Sequence, residues 1–300
     1  MKQSIHNEKL KNAALNVVKT LQNKGFEAYW AGGCVRDMLM GSQPKDYDIA
    51  TSALHHEVEK LFKHTRIIGK AFGVVQVILD EEAFEIATFR KESDHKDGRR
   101  PEKVIFTSSA EEDAQRRDFT INGIFYDPVT EKIIDFVDGQ KDILKRCVRA
   151  IGNPADRFSE DYLRLLRAIR FATTLNCSIE KTTFKAIQEI AHHISFISAE
   201  RIHQELVRIL CESDKAGDAL QLLYDSGLLA EIMPEAISMI GQEQPAQYHP
   251  EGDVWTHTKI MLNEADELDA VLAFSILLHD IGKPATAELD ESDPQNPRIR

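Results

Sequence analysis

The segment AGGCVRDMLMGSQPKDYDIAT, residues 31–51, restricts the possible folds more than any other stretch of the chain. The apolar run Ala28 to Ala31 predicts a strand and Gly32-Gly33 a tight turn. Cys34 to Met40 predicts a helix closed by Gly41, and KDYDIAT a second strand. Residues two apart on a strand share a face, so Asp46 and Asp48 point to one side while Tyr47 and Ile49 face the core. Two carboxylates aimed at one place suit a hard divalent cation; a solvated strand edge is the plain alternative. Glycines ahead of a helix let a phosphate chain approach backbone N–H groups, with Arg36 one turn further to add a guanidinium. Alternatively, the glycines serve only the turn's backbone angles. Taken in order, the parts favour a triphosphate seat followed by metal-holding carboxylates. No GxxxxGK[ST] loop occurs, so the seat is not a Walker loop.

Around this segment the first half alternates short strands and helices. Residues 8–22 form an amphipathic helix with Leu10, Ala14, Val17, Val18 and Leu21 at helical spacing, and Val74 to Leu79 and Ala83 to Phe89 read as strands. Glu85 on the latter is a candidate third carboxylate for a metal cage, or an ordinary outward glutamate. Past DFVDGQKD the strands stop. Residues 159–174, 181–194, 199–212 and 215–226 read as helices, the first capped by Ser159 and the last closed by Gly227. Met239 to Gly252, rich in glycine and proline, is the linker candidate, with a third unit beginning near Tyr248. Three parts result: 1–138, 139–240 and 248–300.

Two further motifs offer nucleotide chemistry. Ser109 and Glu112 match a capping box opening a helix that ends at RRDFTIN. There Arg117 suits a phosphate, and Asp118 and Asn122 suit a ribose; the alternative is an arginine pair placed by the helix dipole beside a turn aspartate. In DRFSEDYLRLLRAIR, Asp161 and Arg164 are neighbours at i, i+3, either as a surface salt bridge or as an acceptor beside donors. The second arrangement complements adenine and cytosine and mismatches guanine and uracil, leaving Arg167 and Arg170 for phosphates or stacking.

A net charge of −12 argues against a protein that coats nucleic acid indiscriminately, while clusters such as Arg116-Arg117 and Arg157, Arg164, Arg167 and Arg170 predict local polyanion contacts. The four cysteines form no CxxC pair, which fits a reducing cytoplasm, and no apolar run is long enough to span a bilayer.

GGCVRD with KDYDIAT, RRDFTIN, DGQKD and EDYLRLLR, in this order, resemble the motifs of the tRNA nucleotidyltransferase and bacterial poly(A) polymerase family, and SAERIHQELVRIL resembles its neck and body helix. The resemblance implies an α+β fold, with a polymerase-β-like nucleotidyltransferase head followed by an all-α neck and body. It implies Mg²⁺ held by Asp46 and Asp48, with Glu85 as a further carboxylate. It also implies a nucleotide pocket of Gly32, Gly33, Arg36, Arg117, Asp118, Asn122, Asp161, Arg164, Arg167 and Arg170. RKESDHKDGRRP corresponds to the family's flexible loop. The expected reaction is template-independent addition of CCA, or its terminal A, to the tRNA 3′ end from CTP and ATP; poly(A) addition is the alternative within the family.

YHPEGDVWTHT followed by SILLHDIGKPAT resembles an HD domain, with His257, His279 and Asp280 matching metal ligands. That pattern asks for another aspartate on a later helix, and Asp290 and Asp293 come too soon, so an incomplete unit is expected. A metal-dependent phosphohydrolase with an idle head is the alternative from another class.

Overall fold

The computed structural model describes residues 2–69, 73–91, 104–245, 247, 249–287, 289–290 and 298–299. Residues 92–101 of the expected flexible loop, together with Tyr248 and Asp293, lie outside that set. The chain divides into two compact units, Met1–Glu160 and Asp161–Arg300.

In the first unit, β1 (Ala28–Ala31), β2 (Ile49–Thr51), β3 (Thr65–Gly69), β4 (Val74–Leu79) and β5 (Glu82–Thr88) are followed by a small β6–β7 pair (Arg90–Lys91, Ile105–Phe106) and by the β8–β9 hairpin (Ile124–Asp127, Lys132–Asp135). A seven-stranded mixed sheet forms in the order β3-β4-β5-β2-β1-β8-β9. β1 lies antiparallel to β2 (Trp30 opposite Ile49) and to β8 (Trp30 opposite Tyr126), while β2 runs parallel to β5 with Ile49 opposite Ile86. Consecutive burial of Trp30 and Ala31 shows that both faces of β1 are covered. Helix α1 (Lys2–Gln22) buries Leu10, Ala14, Val17, Val18 and Leu21, the stripe its spacing predicts, and packs with α3 (His55–Leu61) on the sheet. Helix α2 (Gly33–Leu39) follows the glycine turn, and α4 (Ala110–Gln115) sets Ala110 and Ala114 into a cluster with Ala31, Phe89 and Phe125.

The head extends past the expected boundary at 138. Helix α5 (Gly139–Leu144) carries buried Asp142, whose Oδ2 accepts from the Thr120 hydroxyl at 2.7 Å and from Arg149 Nε at 3.0 Å. On α6 (Pro154–Glu160), buried Arg157 donates from Nη2 to the Gln115 carbonyl at 2.7 Å. Residues 139–160 are therefore tied to the sheet unit by polar contacts that hydrophobic periodicity does not reveal.

The second unit is helical: α7 (Leu163–Thr174), α8 (Lys181–Ile190), α9 (Ala199–Glu212), α10 (Ala216–Asp225), α11 (Leu228–Ile232), α12 (Pro234–Ile237), α13 (Val254–Glu264), α14 (Ala270–Leu278) and α15 (Lys283–Thr286). Gly227 adopts φ 80° between α10 and α11, as a helix-closing glycine should. The expected third part does not stand apart within this unit. Helix α13 packs on α10 and α14 on α9, and Asn263 Oδ1 on α13 accepts from the Gly217 N–H of α10 at 2.7 Å.

Candidate active site

Asp46 and Asp48 sit in the extended approach to β2, just ahead of the strand rather than within it. The alternation nevertheless holds: Tyr47 and Ile49 are buried, while Asp46 and Asp48 reach solvent. The Asp48 carbonyl accepts from the Ala31 N–H at 3.0 Å, which pins this approach against the end of β1. Since Ile49 pairs with Ile86, the parallel register brings Glu85 alongside Asp48 one step earlier, and Glu85 is exposed while Phe84 and Ile86 are buried.

Electrostatics report the same gathering. Crowding by protein atoms, then the charges of Asp46 and Glu85, push the Asp48 carboxyl up to about 6, with Arg117 opposing them. Asp48 keeps a water-facing edge, so the converging like charges are the part of that shift with chemical meaning. Carboxylate oxygens are the donor type a hard divalent cation takes, although Asp46, Asp48 and Glu85 are not among the described groups whose ligand atoms lie within 4.8 Å of one another. Neighbouring Cys34 is a packed thiol: burial, then the Asp48 charge, pushes it up to about 12.

Gly32 takes φ 70°, ψ −125°, a conformation open to glycine, and a Cβ there would stand 3.2 Å from Arg117 Nη1. The turn thus lets a guanidinium approach the backbone. Arg36 on α2 donates from Nη1 to Asn122 Oδ1 at 2.9 Å and from Nε to Asp37 Oδ1 at 2.8 Å. Asn122 Nδ2 in turn donates to Asp118 Oδ1 at 3.2 Å, and both residues are buried. Asp118 and Asn122 therefore turn inward and hold Arg36, in place of the outward ribose contact read from RRDFTIN. Ser109 accepts from the Glu112 N–H at 3.3 Å, as a cap should, but the Glu112 carboxylate binds the Thr107 hydroxyl instead of completing the box.

In the helical unit the continuous helix expected from Ser159 is broken. Ser159 belongs to α6, and α7 starts at Leu163, with Asp161 Oδ1 accepting from the Leu163 N–H at 3.1 Å and the Asp161 carbonyl from the Arg164 N–H at 3.0 Å. Asp161 thus stands at the helix start, one turn below Arg164, and its Oδ2 accepts from Arg201 Nη2 at 2.9 Å. Arg167 lies over the Phe171 ring at 5.1 Å. Arg170 departs from expectation most clearly. It is 4% exposed, paired through Nε with Glu205 Oε2 at 2.6 Å and set over Phe171 at 4.2 Å. A guanidinium so enclosed is a strut between α7 and α9 and does not meet a phosphate.

His257, His279 and Asp280 each offer a ligand atom within 4.8 Å of the others, as do His249, Glu251 and His257. His257 Nδ1 lies 2.5 Å from Glu251 Oε1, while His279 has Nδ1 2.7 Å from the Ile276 carbonyl and Nε2 3.1 Å from Asp280 Oδ2. The Lys283 ammonium already lies 2.7 Å from Asp280 Oδ2. Asp290 lies on a two-residue strand (Leu289–Asp290), not on a later helix.

Asp113, Arg201 and Glu251 escaped the sequence reading. Asp113 carried a signal, since it precedes Arg116 by three and Arg117 by four residues on one helix. Arg201 carried none, because its partner is 40 residues away.

Among known families, a model for the poly A polymerase head domain matches residues 28–149, and one for a probable RNA- and SrmB-binding site of polymerase A matches residues 176–240. The CCA-adding enzyme of Enterococcus faecalis is 44% identical over 204 residues, 68% of this chain and 50% of that protein. That of a Geobacillus species is 46% identical over 215 residues, 72% and 53% respectively. The chain therefore spans about half the length of the curated relatives it matches. The crystal structure of the Bacillus stearothermophilus CCA-adding enzyme in complex with CTP superposes with a TM-score of 0.70 at 37% identity, covering 76% of this chain and 55% of that one. With a seven-stranded head followed in sequence by a helical unit, these matches mean that the chain belongs to the family of CCA-adding enzymes and bacterial poly(A) polymerases.

Proposed function

We propose that the chain is a template-independent nucleotidyltransferase that adds cytidine and adenosine to tRNA 3′ ends from CTP and ATP. The observation that supports this reading most is the parallel register that sets Glu85 alongside Asp48, two residues from Asp46 on the same side of the chain. Asp46, Asp48 and Glu85 would hold divalent cations, Mg²⁺ by the all-oxygen donor set, which when bound supplies charge neutralisation at the reacting phosphate. Gly32 and Gly33 let the triphosphate approach the turn, and Arg36 and Arg117 meet its oxygens. The tRNA 3′-hydroxyl oxygen forms a bond to the α-phosphorus, the α–β bridging bond breaks, the hydroxyl proton is released and pyrophosphate leaves. Asp161 and Arg164, with Arg167 beside them, replace a template by accepting the exocyclic amine and donating to the ring nitrogen of cytosine or adenine. Four free cysteines accord with action in a reducing cytoplasm.

The test offers tRNA transcripts ending before CCA, after C and after CC, each with one labelled nucleotide. The expected result is labelling from CTP on the first two and from ATP on the third. Labelling from UTP as readily as from CTP would refute the base pocket, and long adenosine tails on any RNA would place the chain with the poly(A) polymerases.

A further inference from the structure

We propose that Asp113 is a positioning residue that aims Arg117 at the nucleotide's phosphates, an inference that rests on the nucleotidyltransferase reading above. Asp113 lies on α4 with 1% exposure, and a carboxylate so enclosed persists only when its oxygens are engaged. Oδ1 accepts from Arg116 Nε at 2.8 Å, Arg116 Nη2 at 2.5 Å and the Arg90 N–H at 3.0 Å. Oδ2 accepts from Arg117 Nε at 3.1 Å and Nη2 at 2.9 Å. One edge of the Arg117 guanidinium is thereby fixed to a buried, immobile group.

The rest of the environment sets what the other edge can do. Arg117 Nη1 donates to the Asn122 carbonyl at 3.3 Å, and the guanidinium lies 4.9 Å from the centre of the Phe125 ring, beside Gly32. Arginine has five N–H donors. Among the described residues three are engaged by Asp113 and Asn122, leaving one on each terminal nitrogen for phosphate oxygens. The Arg117 charge also acts on Asp48, which places it on the carboxylate side of the site. Asp113 touches no reacting atom in this scheme; it fixes an arginine that would lie between the glycine turn and the carboxylates. Arg116, on the other Asp113 oxygen, balances the charge and ties α4 to the backbone of Arg90, where its Nε meets the carbonyl at 3.2 Å.

The experiment measures equilibrium binding of CTP and ATP, by calorimetry with Mg²⁺ present, to the wild-type chain and to D113N, R117Q and the D113N/R117Q double variant. Thermal melts check folding. D113N and R117Q should each weaken both nucleotides by on the order of tenfold to a hundredfold, equally for the two bases, and the double variant should bind no more weakly than R117Q alone. Should D113N fail to fold, D113E serves: it keeps the charge but displaces the guanidinium by about one methylene, and a smaller loss common to both nucleotides is expected. Wild-type affinity in D113N or D113E beside a weakened R117Q would overturn the positioning role, as would a double variant whose losses simply add. Wild-type affinity in R117Q would instead overturn the assignment of the nucleotide site, a separate failure.

Discussion

Replacing Arg170 by methionine should destabilise the helical unit and leave nucleotide affinity untouched. The Arg170 Nε to Glu205 Oε2 distance of 2.6 Å corresponds to a gross attraction of roughly 6 kcal/mol at an effective dielectric of about 20. Both groups are buried, so much of that is offset by their lost hydration. Removing one partner is a different matter: R170M keeps the packing stem but strands the Glu205 carboxylate, at a cost of about 3–5 kcal/mol. For a unit running from Asp161 to Arg300, such a loss lowers its melting temperature by on the order of 10 °C or more. Methionine at 170 with leucine at 205 leaves no stranded charge and should recover most of the stability. Urea denaturation followed by far-UV circular dichroism gives the free energies, and calorimetric titration with ATP below the transition gives the affinity. An R170M protein as stable as wild type but binding ATP tenfold more weakly would refute the strut and restore Arg170 to the nucleotide pocket.

Three further outcomes follow from the head and the base pocket. Burial pushes the Asp113 carboxyl up, but Arg117, Arg116 and the Arg90 N–H outweigh it and hold it below its ordinary value, so its stabilising share is present above the unfolded carboxyl range and is lost as pH falls through the folded pKa. D113N should accordingly flatten the acid side of a stability-against-pH curve, read by thermal melts from pH 7 downward. G32A should cost about 1–3 kcal/mol for its backbone angles and also weaken CTP binding by crowding Arg117, whereas G41A, at φ 78° with nothing within 4 Å of an added Cβ, should lose stability alone. D161N should erode the preference for ATP over GTP in single-nucleotide addition by on the order of tenfold or more, with unchanged RNA binding by gel shift.

What the sequence disclosed followed from local periodicity. The two-residue period of KDYDIAT placed Asp46 and Asp48 on one side even though the regular strand begins only at Ile49, because side-chain alternation needs extended backbone and not ladder bonds. The α1 stripe and the glycine turn were legible for the same reason. Contacts made by distant parts of the chain were not. Arg170 looked available because Glu205 is 35 residues away, and the head boundary moved to Glu160 because Arg157 reaches a carbonyl 42 residues earlier. At EDYLRLLR, helical spacing spoke for an unbroken helix, while the Asp161 side chain capped a new one, a competition that residues of this type regularly win at helix starts.

Joint binding of divalent cations by Asp46, Asp48, Glu85 and a nucleotide underlies the proposed reaction. It is tested most directly by titrating Mn²⁺ into the H257A/H279A protein with CTP present, following bound metal by electron paramagnetic resonance. Removing those histidines excludes the second group of metal-ligating side chains. D46N and D48N are expected to abolish the bound signal and E85Q to weaken it. Undiminished Mn²⁺ binding in D48N would contradict that joint binding.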